Sequence, residues 1–272
     1  MTARAPARPG GDAKVPGGSG APIEATHDAL FGGRVVLHQP TRGYRTNVDA
    51  LLLAAFAART PTVPPAREPA STRRARIAVV LGAGCGAVAL ALLHFDAAAK
   101  VVLVEIDPDT ADMARRNLEA NHWSDRSEVL CVDATKLPPS LEADLVVCNP
   151  PYVPEGHGRP PHDPKRARAR SGDLDTFVRA ARRAGGRRAR VCFVYPAHDT
   201  ASVFALLRGA GLEPKRLRMV HATVSSPARV VLVEARPGKP GGLEIQPPLI
   251  ERVWRGYSDE LRVLLGREDG AG

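Results

Sequence analysis

The tetrapeptide Asn149-Pro150-Pro151-Tyr152 combines residue types that suit chemistry on a planar amino group. An amino nitrogen conjugated to a ring is a poor nucleophile, because its lone pair is delocalised. If the Asn149 side-chain oxygen and the Pro150 carbonyl each accept one amino hydrogen, the nitrogen can pyramidalise and attack an electrophilic carbon. The prolines fix φ and hold that carbonyl outward, while Tyr152 offers a face for a planar group. These four residues are the candidate catalytic segment, with a rigid proline turn or polyproline ligand as the structural alternative.

A glycine-rich loop, Gly82-Ala83-Gly84-Cys85-Gly86, precedes an apolar segment of helical length. Glycine lets the backbone turn tightly and approach a ligand without interference from a Cβ. Glu105 lies 19 residues beyond Gly86, where a doubly wound fold places a carboxylate on ribose hydroxyls. The pattern therefore predicts a nucleoside-containing cofactor, held by Gly82, Ala83, Gly84, Gly86, Glu105 and Ile106.

A third candidate segment, Asp133-Ala134, follows an apolar run that ends at Val132. A carboxylate at the carboxyl edge of a strand can accept a hydrogen bond from an adenine amino group. A plain helix cap is the alternative explanation for Asp133. We include Asp133 and Ala134 among the cofactor contacts, together with Asn149.

Seven short apolar runs separated by helix-length segments must position these residues. They predict an α/β fold, a doubly wound, mostly parallel, seven-stranded Rossmann-like sheet. A turn at residues 225–227 brings the last two runs together, which predicts one antiparallel strand. The predicted strands are residues 77–81, 101–105, 129–132, 145–148, 191–195, 217–221 and 230–233.

Composition divides the chain into four segments. Residues 1–26 are rich in Gly, Pro, Ala and Arg, which predicts a disordered tail. Residues 27–59 combine an alternating stretch with an apolar helix and predict an N-terminal cap. Residues 60–76 are rich in Pro and Arg and predict a linker, so that residues 77–265 form the cofactor-binding domain.

The charge balance favours a polyanionic partner. Thirty-eight Lys and Arg residues against 29 Asp and Glu residues give a formal net charge of +9. Eleven of these basic residues, against three acids, lie within residues 158–190. This basic run predicts contacts with nucleic acid, with a solvated helix face as the alternative. The candidate substrate contacts are Tyr44, Arg45, Arg166, Arg168 and Arg170.

The four cysteines and eight histidines show no metal-ligand spacing, so we predict neither a metal site nor a disulfide framework. The chain contains no apolar run of about 18 residues, and its basic N-terminus is not followed by an apolar signal region. We therefore expect a soluble, cytoplasmic protein.

The glycine loop, Glu105 and the tetrapeptide resemble the amino methyltransferases of the class I S-adenosylmethionine fold. A wider pattern over about residues 28–265 is similar to the bacterial tRNA1(Val) adenine methyltransferases, which modify the exocyclic amino group of the adenine just 3′ of the anticodon. The resemblance implies S-adenosyl-L-methionine as cofactor and structured RNA, tRNA above all, as partner. The wider pattern comprises Phe31-Gly32-Gly33-Arg34, Gln39-Pro40, Gly43-Tyr44-Arg45, Asp49 and the terminal segment from Ala235 to Leu249 with Pro247-Pro248.

One residue departs from that family's pattern. Val80 stands two positions before the first glycine of the loop, where the family usually carries an acidic residue. In the family that carboxylate helps to organise the loop and the methionine end of the cofactor. Val80 is therefore the main support for a non-catalytic RNA-binding relative with a weakened cofactor site.

Two other enzyme classes stay open. A protein methyltransferase acting on a glutamine amide would use the same tetrapeptide, which serves any planar amide or amino group. A nicotinamide oxidoreductase would explain the glycine loop and Glu105 but would leave the tetrapeptide without a role. The basic run favours RNA over a protein substrate, which would not require it.

Overall fold

The structure is a computed structural model that describes residues 25–41, 45–59, 74–137, 141–151, 174–254 and 256–267. Its strands are β1 (Ala25–Leu30), β2 (Val35–Pro40), β3 (Ala75–Leu81), β4 (Ala98–Glu105), β5 (Ser127–Cys131), β6 (Ala143–Cys148), β7 (Gly185–Pro196), β8 (Leu212–His221), β9 (Ala228–Pro237), β10 (Glu244–Ile245), β11 (Leu249–Ile250), β12 (Arg252–Val253) and β13 (Gly256–Tyr257). Its α-helices are α1 (Val48–Ala58), α2 (Ala87–His94), α3 (Pro108–Ala120), α4 (Leu174–Ala184), α5 (Thr200–Gly209) and α6 (Asp259–Leu264).

The main sheet has nine strands, in the order β10-β8-β9-β7-β6-β3-β4-β5, with β11 also paired to β8. Within this sheet every pair is parallel except those of β9, which runs antiparallel to β7 and β8. All seven predicted strands and the predicted antiparallel strand are confirmed. The sheet exceeds the predicted size because β10 and β11, with two residues each, also pair with β8.

Side chains of the central strands alternate between two cores, as the period of two in a β-strand requires. On β3, Ala78 and Val80 pack into the core that contains α1, α2 and α3. Val79 and Leu81 pack into the opposite core, with α4 and α5. A parallel sheet covered on both faces is the doubly wound arrangement.

The N-terminal segment forms a hairpin of β1 and β2, followed by α1. Phe31, Val35 and Leu37 of this hairpin belong to the same core as α2 and α3. The hairpin and α1 therefore share a core with the sheet. β1 begins at Ala25, two residues before the predicted start of the cap, and the division into tail, cap, linker and main domain stays a prediction.

No helix among the described residues is long and apolar enough to cross a membrane. The same residues contain no group of three or more His, Cys, Asp or Glu side chains that could hold a metal ion.

Candidate active site

The candidate cofactor residues meet at one edge of the sheet. β6, β3, β4 and β5 are neighbours and run parallel, so their carboxyl ends lie side by side. The glycine loop follows β3, Glu105 ends β4, Asp133 follows β5 and Asn149 follows β6. With strands about 4.8 Å apart, these four ends lie within about 15 Å of one another. The topology thus brings together the segments that the sequence separates.

The glycine loop makes two tight turns between β3 and α2. Gly84 has a φ of +56° and Gly86 a φ of +95°, both in the left-handed region that favours glycine. A Cβ on Gly86 would lie 3.4 Å from a methyl carbon of Leu103, so the loop packs closely against β4. A Cβ on Gly84 would meet nothing within 4 Å. Gly84 therefore presents its backbone to open space at the edge of the sheet.

The Glu105 carboxylate ties this loop to the end of β4. Its Oε2 accepts from the Gly84 N–H at 2.8 Å, and its Oε1 accepts from the N–H groups of Ile106 and Asp107 at 2.9 and 3.0 Å. The residue is only 8% exposed. A carboxylate has about four acceptor positions, so three bonds leave Oε2 able to accept one more.

Asp133 is the N-cap of a short 3-10 helix at residues 134–136, as the cap explanation proposed. Its Oδ1 accepts from the N–H and the hydroxyl of Thr135, both at 2.8 Å. These two bonds hold the pKa of the Asp133 carboxyl below its ordinary value. Oδ2 has no hydrogen-bond partner within the described part of the chain, so the charged carboxylate keeps an oxygen for a ligand.

Asn149 follows the last residue of β6, a strand buried on both faces. Its side-chain Oδ1 is buried and has no hydrogen-bond partner among the residues that the structure describes. An unsatisfied buried acceptor costs about 1–3 kcal/mol, and such a group in a native fold needs an explanation. Pro150 is buried and Pro151 is half-buried beside it. The neighbouring Cys148 is not a nucleophile, because burial raises the pKa of its thiol well above the ordinary value.

Tyr152 of the candidate catalytic segment lies outside the described residues. So do four of the five predicted substrate contacts, Tyr44, Arg166, Arg168 and Arg170. Arg45 lies in the cap, where its guanidinium donates to Asp28 at 3.0 Å and to Thr26 at 2.8 Å. At the described end of the basic run, Arg187 and Arg188 are exposed, whereas Arg190 is mostly buried and donates to the carbonyl of Ala57 at 2.7 Å.

Two functional contacts escape the sequence patterns. Arg183 of α4 donates to the Ala134 carbonyl at 3.3 Å and places a positive charge beside Asp133. Asn117 of α3 is fully buried and donates to the Cys85 carbonyl, inside the glycine loop, at 2.8 Å. The spacing of Asn117 and Asn121, four residues apart on one helix face, was the signal that could have revealed a paired role.

Comparison with known proteins decides the family. The model of the methyltransferase small domain matches residues 68–159, which include the glycine loop, Glu105, Asp133 and the tetrapeptide. The chain is 30% identical over 178 residues to a tRNA1(Val) (adenine(37)-N6)-methyltransferase of Flavobacterium johnsoniae, covering 63% of this chain and 74% of that enzyme. The chain belongs to the tRNA1(Val) (adenine(37)-N6)-methyltransferase family. As a member of this family it is an S-adenosylmethionine-dependent N-methyltransferase, and the predicted cofactor is confirmed.

The chain is also similar to a second curated enzyme and to a solved structure. The chain is 41% identical over 102 residues to the release factor glutamine methyltransferase of Mycolicibacterium smegmatis, a stretch that covers 35% of each protein. A crystal structure described as a predicted O-methyltransferase from Agrobacterium tumefaciens superposes with a TM-score of 0.59 at 24% identity, over 80% of this chain and 96% of that one. This structure shares the class I methyltransferase fold, which confirms the predicted fold class.

Proposed function

We propose that this family member methylates the exocyclic amino group of an adenine in tRNA, in the region of the anticodon loop. The observation that carries the proposal is the buried Asn149 Oδ1 at the end of β6, an acceptor that no described part of the chain satisfies. A substrate amino group would supply the missing hydrogen and remove the cost of leaving that oxygen unsatisfied.

The cofactor residues of the proposal fit S-adenosylmethionine. Glu105 keeps an acceptor position for a ribose hydroxyl, and the Asp133 Oδ2 is available to an adenine amino group. Gly84 leaves room for close approach to the loop backbone. We assign Gly82, Ala83, Gly86, Ile106 and Ala134 to the walls of the same pocket. When bound, S-adenosylmethionine supplies an electrophilic methyl group on its sulfonium sulfur.

The substrate side of the mechanism rests on Asn149 and Pro150. The Asn149 Oδ1 and the Pro150 carbonyl each accept one hydrogen of the target amino group. The nitrogen lone pair is thereby withdrawn from the ring and directed at the methyl group. The methylated nitrogen carries a positive charge and is acidic enough to give its proton to water, so the site needs no strong general base. Tyr152 stacks on the target base, and Pro151 holds the segment rigid.

Charge favours RNA as the macromolecule that carries the target. The chain has a formal net charge of +9, and Arg183, Arg187 and Arg188 are exposed on α4 and β7. Phosphate contacts by such arginines supply most of the affinity for a nucleic acid. The amide of a glutamine in a release factor is the second candidate, supported by the similarity to the Mycolicibacterium enzyme.

Labelled methyl transfer to two substrate pools separates these candidates. We expect label from S-adenosylmethionine to enter total tRNA from cells that lack the modification, and not total cell protein. The matched control is Asn149→Ala, which should still bind S-adenosylhomocysteine yet transfer almost no label. Label in a release factor would support the glutamine amide instead. Cofactor binding with no label in either pool would indicate the non-catalytic relative suggested by Val80.

A further inference from the structure

A short hairpin near the C-terminus exposes a tryptophan. β12 and β13 pair through Arg252 with Tyr257 and Val253 with Gly256, and we call residues 252–254 and 256–257 the Trp254 hairpin. Trp254 directly follows β12 and is fully exposed, and Val253 beside it is 48% exposed. Tryptophan normally contributes a large buried area to a core or an interface. Here no residue that the structure describes covers the indole of Trp254.

The turn itself does not favour tryptophan. Trp254 has a φ of +38°, in the left-handed region. Bulky residues rarely adopt this conformation, and two-residue hairpin turns prefer Asn, Asp or Gly there. An outlier of this kind supports a hypothesis of function when neither packing nor local geometry accounts for it.

The Trp254 hairpin lies at the same edge of the sheet as the candidate active site. β11, just before it, pairs with Val220 and His221 at the carboxyl end of β8. In the sheet order β11, β8, β9, β7 and β6, four steps separate the strand before the hairpin from Asn149, which corresponds to about 20 Å. A folded RNA loop can span this distance.

The start of the Trp254 hairpin is fixed to the body of the protein. Glu251 accepts from Arg229 at 2.6 Å, and Arg229 also donates to the buried Asp49 of α1 at 3.0 Å. α1 begins next to Thr46, whose hydroxyl lies 3.6 Å from the Cys85 sulfur of the glycine loop. Trp254 is thus held at a defined place relative to the cofactor loop.

The surroundings of the tryptophan are basic. The guanidinium carbons of Arg252 and Arg267 lie 5.9 and 5.1 Å from the centre of the Tyr257 ring. Neither arginine forms an ion pair with a carboxylate among the residues that the structure describes. The nearby acids have other partners: Glu251 pairs with Arg229, Asp259 with Arg262 and Glu260 with Arg218.

We propose that the Trp254 hairpin is a second RNA contact, at which the indole stacks on an unpaired nucleobase of the substrate. Arg252 and Arg267 approach the phosphates on either side. Single-stranded loops are recognised in this way, by bases stacked on aromatic side chains with arginines at the backbone. The inference rests on the proposed tRNA function and adds to it a contact outside the catalytic pocket.

Binding of unmodified tRNA to matched variants tests the contact. Because stacking of one base on an aromatic side chain is strong, Trp254→Ala should weaken tRNA binding by about 5- to 150-fold. Trp254→Phe should recover most of the affinity. Ile245→Ala is the control, since Ile245 is an exposed apolar residue, 69% accessible, on the edge strand β10. Ile245→Ala should bind tRNA with the affinity of the wild type. Every variant should bind S-adenosylhomocysteine with unchanged affinity.

A fluorescence measurement reports stacking directly. The chain has two tryptophans, so Trp123→Phe leaves Trp254 as the only indole, and tRNA should quench its emission. Equal tRNA affinity in wild type and Trp254→Ala would overturn this inference and leave the proposed function standing. A wild-type protein that sediments as a dimer and a Trp254→Ala variant that sediments as a monomer would also overturn it, and would assign the surface to a second copy of the chain. A wild-type protein that binds no tRNA and labels only protein would overturn both proposals.

Discussion

The Glu105 carboxylate and the Asn149 side-chain oxygen illustrate two opposite uses of a buried acceptor. The Glu105 carboxylate accepts three backbone N–H groups and so organises the glycine loop even without a ligand. The Asn149 Oδ1 accepts none. Val80, where the family usually has an acid, is 1% exposed in the apolar core. The loop is therefore held by Glu105 rather than by a carboxylate at position 80.

Replacing Glu105 should weaken cofactor binding. Hydrogen bonds to a charged group contribute about 1.5–3 kcal/mol each, so Glu105→Ala should weaken binding of S-adenosylhomocysteine by at least about tenfold. Calorimetric titration measures this. Glu128→Ala is the matched control, because Glu128 is an exposed carboxylate on β5 paired with Lys100. Equal affinity in wild type and Glu105→Ala would remove Glu105 from the site.

Helix α3 connects the cap to the glycine loop. It begins at Pro108 behind the N-cap Asp107, whose side chain accepts from the Asp109 N–H. From this helix Asn117 binds the N–H and the carbonyl of His38 on β2, at 2.8 and 2.9 Å. Asn121 binds the N–H and the carbonyl of Val36 in the same manner, at 2.9 and 2.7 Å. The two amides thus act on β2 as a neighbouring strand would.

Only Asn117 also reaches the glycine loop, through the Cys85 carbonyl, and this difference allows a matched test. Both Asn117→Ala and Asn121→Ala leave backbone groups of β2 unsatisfied, so each should lower the free energy of unfolding by about 1–3 kcal/mol. Asn117→Ala should in addition weaken S-adenosylhomocysteine binding. Titration and urea unfolding of both variants check this. The positioning role of Asn117 is excluded if both variants bind the cofactor equally well.

At the scale of the whole molecule, a buried charge cluster joins α1 to three strands. Glu234 of β9 has no exposed surface and binds Arg59 after α1 and Arg216 of β8, both at 2.9 Å, while Arg190 of β7 lies 3.5 Å away. Burial opposes the charged form of Glu234. The guanidinium groups of Arg216, Arg59 and Arg190 outweigh that effect and lower its pKa to about 2.

The lowered pKa predicts a specific acid sensitivity. A carboxyl whose folded pKa lies below its unfolded value of 4.5 stabilises the fold above pH 4.5, and this stabilisation is lost as the pH falls towards 2. The difference corresponds to roughly 3 kcal/mol. The gap in free energy of unfolding between wild type and Glu234→Gln should therefore narrow from pH 4.5 to pH 2. A gap that stays constant in urea unfolding over this range would contradict the assigned pKa.

How much of the structure can be predicted from the sequence depends on how far apart in the chain the interacting residues lie. The seven long strands carry apolar runs, and parallel pairing then places Glu105 and Asn149 at one edge. The two-residue strands β10 to β13 lack such a pattern, and β7 begins six residues before the predicted 191 because its first part carries Arg187 and Arg188. The contacts of Asn117 with His38 and of Arg216 with Phe56 join residues 79 and 160 positions apart. No local pattern encodes such pairs.

Single-turnover methyl transfer with saturating tRNA tests the central role of Asn149 most directly. Its acceptor bond strengthens as the target nitrogen pyramidalises, so its loss should appear in the rate of the chemical step rather than in binding. We predict that Asn149→Ala still binds S-adenosylhomocysteine and tRNA but transfers methyl about 100- to 1,000-fold more slowly. Tyr152→Phe is the control in the same segment and should retain most of the rate. A near-normal transfer rate in Asn149→Ala would contradict the proposed mechanism.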